Sequence, residues 1–138
     1  MRFHDYHLRG YDVTDFGKRL RLNLVFDYPG KVKDESQIEF SNVALYNFVH
    51  TCGAIITDIE QATIADVLAE FSASLSAWSK QHGIQGWHGS QGAYQSYLES
   101  KAMKAWLIDS AIGFTGFVIA RDVTQIGPDK SPERARGG

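Results

Sequence analysis

The sequence has little cysteine and proline and no long apolar run. Among its 138 residues there is one cysteine, Cys52, so an intrachain disulfide is impossible. The longest apolar runs, such as Phe117 to Ala120, are far shorter than the ~20 residues that cross a bilayer. The lone thiol and the absence of an apolar N-terminal segment favour a reducing cytoplasm over secretion. We therefore expect a cytoplasmic protein with no membrane partner.

The charged residues show no excess of one sign. The 14 Lys and Arg residues nearly balance the 16 Asp and Glu residues, and the net charge is −2 at pH 7. Nucleic-acid-binding domains usually carry a clear basic excess, so we expect no nucleic-acid partner. The composition is that of one ordinary domain, which we place at residues 2–126. Pro128 and Pro132, among few apolar residues, predict a disordered tail at residues 127–138.

Alternation of apolar and polar residues predicts strands over much of the chain. The clearest strand spans residues 18–27, where leucines recur at every second position from Leu20. Shorter β-branched and aromatic stretches predict five further strands. These are residues 3–11, a segment starting at Ile38, and residues 54–60, 104–111 and 114–126. We expect the last two to form a β-hairpin closed at residues 113–116.

A stripe of apolar side chains predicts one long helix at residues 63–82. Its members recur at steps of three and four residues and are Ile64, Val67, Leu68, Phe71, Leu75, Trp78 and His82. Thr63 can cap the first turn, and Gly83 follows the last residue, where glycine often ends a helix. Strands grouped around one helix predict an α+β fold with a mainly antiparallel sheet of about six strands.

Glycine is concentrated at residues 83–92, where it occurs at every third position. This spacing fits neither a P-loop nor the dinucleotide-binding pattern. One interpretation is a mobile connection from the helix to the next strand, with Trp87 folded back over the core. The other is a binding loop that presents Trp87 and His88, because exposed loop aromatics often anchor a partner.

The helix face opposite the apolar stripe carries small residues and few charges. It consists of Ala65, Ala69, Ser72, Ala73, Ser76 and Ala77. Small side chains let a second element approach closely, but alanine is also simply the best helix former. If the small side chains serve close approach, this small-residue helix face is a contact surface for a partner or a second copy of the chain. Its candidate binding residues are Glu70, Ser72 and Ser76.

No side-chain pattern predicts a catalytic or cofactor site. The five histidines lack metal-ligand spacing, and Asp5 with His7 on one strand face forms at most half of a metal site. Asp58, Glu60 and Asp109 lie near strand ends and form a candidate acid–base group, although such carboxylates are more often solvated. We expect no metal, no cofactor and no enzymatic activity.

Three short patterns together resemble a known kind of domain. They are His4-Asp5-Tyr6 in the first strand, Ile38-x-Phe40-x-Asn42-Val43 in the third, and Ser110-x-x-Gly113-x-x-Gly116 near the end. The chain resembles small bacterial α+β domains of the immunity-protein type over most of residues 3–124. This resemblance implies a cytoplasmic protein that binds and blocks a cognate toxin. The resemblance assigns a catalytic role to no residue of this chain.

Three hypotheses on function stay open. The first is a bacterial, non-enzymatic protein-binding domain, of which an immunity protein that neutralises a toxin is one case. The second is a small enzyme or ligand-binding domain with a site near Trp87 and His88. The third is a structural homodimer formed through the small-residue helix face.

Overall fold

The structure, a computed structural model, describes residues 2–127 of the chain. It is an α+β fold in which four strands form one antiparallel sheet and three helices precede the last strand. The strands are β1 (Arg2–Thr14), β2 (Arg19–Phe26), β3 (Asp34–Ala62) and β4 (Lys104–Ile126). The helices are α1 (Ile64–Glu70), α2 (Ser72–Gln81) and α3 (Gln91–Ser100). Of the predicted disordered tail, residues 128–138 lie outside the described part.

The prediction of about six strands is wrong, because two pairs of predicted strands are single long strands. β3 has 29 residues and includes both the segment starting at Ile38 and residues 54–60. β4 has 23 residues and runs through residues 113–116, where a hairpin turn was predicted. The antiparallel character of the sheet is confirmed for every strand pair.

β4 bends at Gly113 and does not reverse there. Ile112 pairs with Ile55 and Phe114 pairs with His50, so both sides of the glycine follow the same partner strand. Gly113 has φ +80, a conformation that glycine adopts easily in turns and bulges alike. The local sequence signal is therefore the same for a turn and for a bend.

The long strand β3 brings the sheet round on itself. Its residues 34–41 pair with β2, and its residues 55–58 pair with β1. Because β1 and β2 also pair with each other, these three strands close into a ring. The sharpest irregularity lies at residues 51–54, which stand opposite the single residue Gly113 of β4.

The larger hydrophobic core is enclosed by the curved sheet. The predicted alternation in β2 is confirmed at Leu20, Leu22 and Leu24, which are buried in this core. The buried members are Phe3, Leu20, Leu22, Leu24, Ile38, Phe40, Ile56, Ile59, Trp106, Ile108, Val118 and Ala120. Each large aliphatic side chain buried here stabilises the fold by about 1.5–3 kcal/mol relative to an exposed position.

The motif around Tyr6 has a structural role at the start of β3. The Tyr6 hydroxyl donates to Asp34 Oδ2 at 2.5 Å, and Ser36 Oγ donates to the same oxygen at 2.9 Å. Burial, followed by the hydrogen bond and charge of Asp34, raises the pKa of Tyr6 to about 12. The hydroxyl therefore stays protonated and links β1 to the first residues of β3.

The three helices form a second core against the sheet. Its buried members are Ile64, Val67, Leu68, Leu75, Tyr94, Leu98, Ala105, Phe117 and Ile119. Thr63 caps α1 as predicted, because its Oγ1 accepts a hydrogen bond from Asp66 N at 3.0 Å. None of the helices in residues 2–127 has the length and apolar character that crossing a membrane requires.

The prediction of a single long helix at residues 63–82 is wrong, because the helix is divided at Phe71. This residue has φ −104 and ψ 21, which depart from helical values. Its ring lies 4.5 Å from the ring of Phe117 on β4. The break therefore occurs where a core side chain packs on the curved sheet, at a position with neither proline nor glycine.

Tyr94 of α3 places a hydroxyl in this second core without a hydrogen-bond partner. The residue is 1% exposed, and no group in residues 2–127 donates to or accepts from its oxygen. Burial, followed by the neighbouring Tyr97, raises the pKa of Tyr94 to about 12. The hydroxyl is therefore neutral, buried and unpaired.

We expect Tyr94→Phe to stabilise the protein. An unpaired buried polar group costs about 1–3 kcal/mol, so its removal should raise the free energy of unfolding by about 1 kcal/mol. Urea titration measures the change, and Tyr97→Phe, which removes a hydroxyl from a half-buried ring, is the matched control. A loss of stability in Tyr94→Phe would contradict the expectation.

Candidate functional site

Trp87 and His88 lie in the connection between α2 and α3, in different surroundings. Trp87 is half-buried and packs against the helical core, with its ring 5.6 Å from the ring of Tyr94. His88 is exposed, has φ +51, and holds its ring 5.8 Å from that of Tyr97. The structure thus places one of the two candidate residues partly in the core and the other at the surface.

The small-residue helix face is exposed on both α1 and α2. Its six members, Ala65, Ala69, Ser72, Ala73, Ser76 and Ala77, are all exposed. Glu70 is exposed as well, and it precedes the break at Phe71. The candidate residues Glu70, Ser72 and Ser76 are therefore all accessible to solvent.

Asp5 and His7 have different neighbours. Asp5 has φ +67 at a break in the β1–β3 register, and its carboxylate lies 3.5 Å from His4 Nε2. The ring of His7 lies 5.6 Å from that of Tyr28. In the part of the chain that the structure describes, the one group of three potential metal ligands within reach of one another includes neither residue.

That group consists of three carboxylates on neighbouring strands. Asp58 of β3 pairs directly with Asp109 of β4, and Glu60 lies two residues further along β3. Their oxygens all lie within 4.8 Å of one another. The sequence had suggested these three residues as an acid–base group, and the structure brings them together. Glu60 and Asp109 are exposed. Because exposed carboxylates commonly cluster without an ion, this group does not by itself indicate a metal site.

We expect Asp109→Asn to lower the pKa of Glu60. The charge of Asp109, followed by its hydrogen bond and by weaker effects of burial and Asp58, raises the pKa of Glu60 above its ordinary value of 4.5. The folded protein then binds this proton more tightly than the unfolded chain does. Stability from this group is therefore lost as pH rises from the ordinary value through the raised one.

An NMR titration of the Glu60 carboxyl group measures this effect. In Asp109→Asn the pKa of Glu60 should move toward its ordinary value, and the fall in stability with rising pH should become smaller. Asp122→Asn, an exposed position elsewhere on β4, is the control and should leave the Glu60 titration unchanged. An unchanged titration in both variants would show that Asp109 is not the cause.

A cluster of aromatic side chains forms where β1, β3 and β4 meet, and the sequence did not predict it. We call it the aromatic surface, and its members are Tyr11, Tyr46, Phe48, His50 and Phe114. The ring of Phe48 lies at its centre, 5.1 Å from Tyr11, 5.3 Å from Tyr46 and 5.0 Å from Phe114. His50 is exposed, and the other four residues are half-buried and pack against the larger hydrophobic core.

The strand geometry explains how these rings come together. Tyr46, Phe48 and His50 alternate along β3 and therefore share one face of the strand. Gly116 pairs with Phe48 and leaves space for its ring. Burial, followed by the neighbouring Tyr11, raises the pKa of Tyr46. The alternation at these three positions was the one local signal that could have revealed part of the surface.

The β3 residues of the aromatic surface lie in a stretch of the chain without charged residues. Residues 40–57 contain no Asp, Glu, Lys or Arg. Val49 of β3 and Ile112 of β4 are 59% and 62% exposed. Val49 alternates with Phe48 and His50 and therefore lies on the opposite face of β3 from their rings. Chemically, this region offers apolar area, phenol hydroxyls and one exposed imidazole, which suits binding.

Comparison with known proteins identifies no relative. No family model, no curated protein and no solved structure matches this chain. Function therefore has to be inferred from the surfaces of the chain itself.

Proposed function

We propose that this chain is a non-enzymatic protein-binding domain whose contact surface is the aromatic surface. The observation that supports this function is the group of half-buried rings around the exposed His50, three of which lie in the uncharged residues 40–57. Aromatic side chains carry much of the energy of protein interfaces, because they bury a large area with few rotatable bonds. Exposed apolar patches on soluble domains commonly mark such interfaces.

The resemblance to immunity-protein domains suggests the class of partner. On this proposal the partner is a toxin, and the chain neutralises it in the bacterial cytoplasm by covering part of its surface. Such inhibition requires contact area and shape, and no catalytic group on the chain. The rings and aliphatic side chains around Phe48 are suited to this role.

Affinity capture from cells that produce the chain tests the proposal. The bait is the tagged full-length chain, together with Ile112→Glu beside the aromatic surface and Val32→Glu as the matched control. Val32 is 88% exposed in the connection between β2 and β3, so both substitutions place a carboxylate on an exposed position. We expect one protein to be captured by the wild type and by Val32→Glu, and to be lost with Ile112→Glu.

The captured protein is then purified and its affinity is measured by calorimetry. We expect Ile112→Glu to weaken binding at least about tenfold, since loss of an interface anchor commonly costs 1–2 kcal/mol or more. Production of the captured protein should slow growth, and co-production of the wild-type chain should restore it. Equal affinity of the two variants would overturn the assigned surface. Failure of the wild-type chain to bind any purified protein would overturn the function.

A further inference from the structure

An open cleft lies on the helical side of β3, near the residues where α2 ends. β3 contributes residues 45–47 to its lining, and the end of α2 with the residues after it contributes Trp78 and residues 82–84. The volume of the cleft is about 330 Å³, which lies at the lower end of the usual range for small-molecule sites. The space therefore fits one small ligand.

Alternation along β3 places the side chain of Asn47 on the cleft side of the strand. Leu45 packs against the second core, and Asn47, two residues later, shares its face of the strand. Tyr46 borders the cleft between them, but its ring lies beside that of Phe48 on the opposite face. The cleft and the aromatic surface therefore use opposite faces of β3.

Three side chains of the cleft carry polar groups that have no hydrogen-bond partner in residues 2–127. These groups are the Asn47 amide, the Trp78 indole N–H and the His82 imidazole. In the same residues, the side-chain polar atom that is both buried and unpaired belongs to Tyr94, so the three groups of the cleft are open to solvent. Each of them is therefore free to bond to a ligand.

The walls of the cleft are apolar and carry no charge. Leu45 and Ile84 supply aliphatic side chains and Trp78 supplies an indole ring, and all three are half-buried against the second core. The lining contains no Asp, Glu, Lys or Arg. A charged ligand would lose part of its hydration here without gaining an ion pair. The cleft therefore favours an uncharged ligand.

The chemistry of the lining fits a planar heterocycle better than a sugar. The face of an indole ring stacks on other flat rings. An asparagine amide offers a donor beside an acceptor, and it pairs with a heterocycle edge that offers the complement, as it does with adenine. A sugar has hydroxyl groups around its whole ring and would place some of them, unpaired, against Leu45 and Ile84.

We propose that this cleft binds one uncharged planar heterocycle of the nucleobase type. The ring of the ligand lies against the Trp78 indole, and the Asn47 amide forms paired hydrogen bonds with its donor–acceptor edge. His82, which is exposed, forms a further hydrogen bond from the solvent side. The inference goes beyond the proposed protein-binding function and does not depend on it, since the two surfaces lie on opposite faces of β3.

An NMR titration of the isotope-labelled full chain with adenine tests the site. We expect the indole N–H signal of Trp78 and the side-chain amide signals of Asn47 to shift and to saturate at millimolar adenine. The indole signals of Trp87 and Trp106, which lie outside the cleft, should not move. Purine lacks the amino group that donates to an asparagine carbonyl, so it should bind about tenfold more weakly. Glucose at the same concentration should cause no shift.

Two variants test the assigned residues. Asn47→Leu keeps the approximate size of the side chain and removes the amide, so adenine and purine should bind to it with equal affinity. His82→Ala should weaken adenine binding several-fold. His88→Ala, the same change at an exposed histidine outside the cleft, is the matched control and should leave binding unchanged. Circular dichroism checks that each variant is folded, and the histidine pair still tests the site if Asn47→Leu does not fold.

The outcomes either support the site or overturn it. Saturable shifts at Trp78 and Asn47, with the preference for adenine lost in Asn47→Leu, support the proposal. If adenine causes no saturable shift in the wild type, the site is overturned. If Asn47→Leu still prefers adenine to purine, or if glucose binds in place of adenine, the assigned ligand class is overturned. Equal effects of the two histidine substitutions would overturn the role of His82.

Discussion

Gly116→Ala is expected to destabilise the protein by about 3 kcal/mol, the upper end of the usual cost of overpacking a core. A Cβ at this position would lie 2.5 Å from the backbone oxygen of Asn47 and 2.5 Å from Cδ1 of Phe48. The Asn47 oxygen cannot move away without disturbing the β3–β4 pairing. The substitution therefore forces apart the two strands that carry the aromatic surface. Urea unfolding measures the loss, and near-ultraviolet circular dichroism reports on the rings.

Gly10→Ala is the matched control for this substitution. Gly10 also lies in a strand, and a Cβ there would meet no atom within 4 Å. Alanine also reduces the conformational entropy of the unfolded chain, so the change in stability should stay within about 1 kcal/mol. Similar losses in the two variants would show that the close approach at Gly116 is not what matters.

Gly86→Ala is expected to cost about 3 kcal/mol through backbone strain of ~1–2 kcal/mol and steric overlap. Gly86 has φ +89, and its Cβ would overlap the ring of Tyr97. That ring is held in place, since it stacks on Tyr94 at 6.4 Å and lies under the Lys101 ammonium at 5.8 Å. It cannot easily move aside. Thermal unfolding, monitored by circular dichroism, measures the effect.

Gly89→Ala separates the two contributions. Gly89 has φ +88, almost the same backbone conformation, but a Cβ there would meet nothing within 4 Å. We expect it to cost only the backbone strain, about 1–2 kcal/mol. If Gly86→Ala costs no more than Gly89→Ala, the segment can move off Tyr97. In that case the interpretation of residues 83–92 as a mobile connection would be supported.

Elements whose signal lies in neighbouring residues were predictable from the sequence. The alternation that starts at Leu20 predicted β2 and its buried face, because side chains alternate across any strand. The apolar stripe and Thr63 predicted the beginning of α1, because helical periodicity and capping also depend on residues close together in the chain. The α+β class and the antiparallel sheet followed from the order of these local patterns.

The length of the strands and the break in the helix were not predictable. A glycine at position 113 is compatible with a hairpin turn and with a bend. The strand bends there because the residues before and after Gly113 both pair with β3. Phe71 continues the apolar stripe without interruption, and the helix divides at this residue, where its ring packs against Phe117. At Gly113 a distant segment selected between two conformations that the local sequence allows.

Each candidate site also has a part that the sequence could predict and a part that it could not. Asp58 and Glu60 are neighbours in sequence, but only the pairing of Asp58 with Asp109 completes the carboxylate group. Tyr46, Phe48 and His50 share a face by alternation alone. Tyr11 reaches them through the closed ring of strands, and Phe114 reaches them through the pairing of β3 with β4. The sequence by itself determined which short segments are strands or helices and which of their faces are apolar. The tertiary structure decided strand continuity, the carboxylate group and the aromatic surface, because each depends on contacts between residues far apart in the chain.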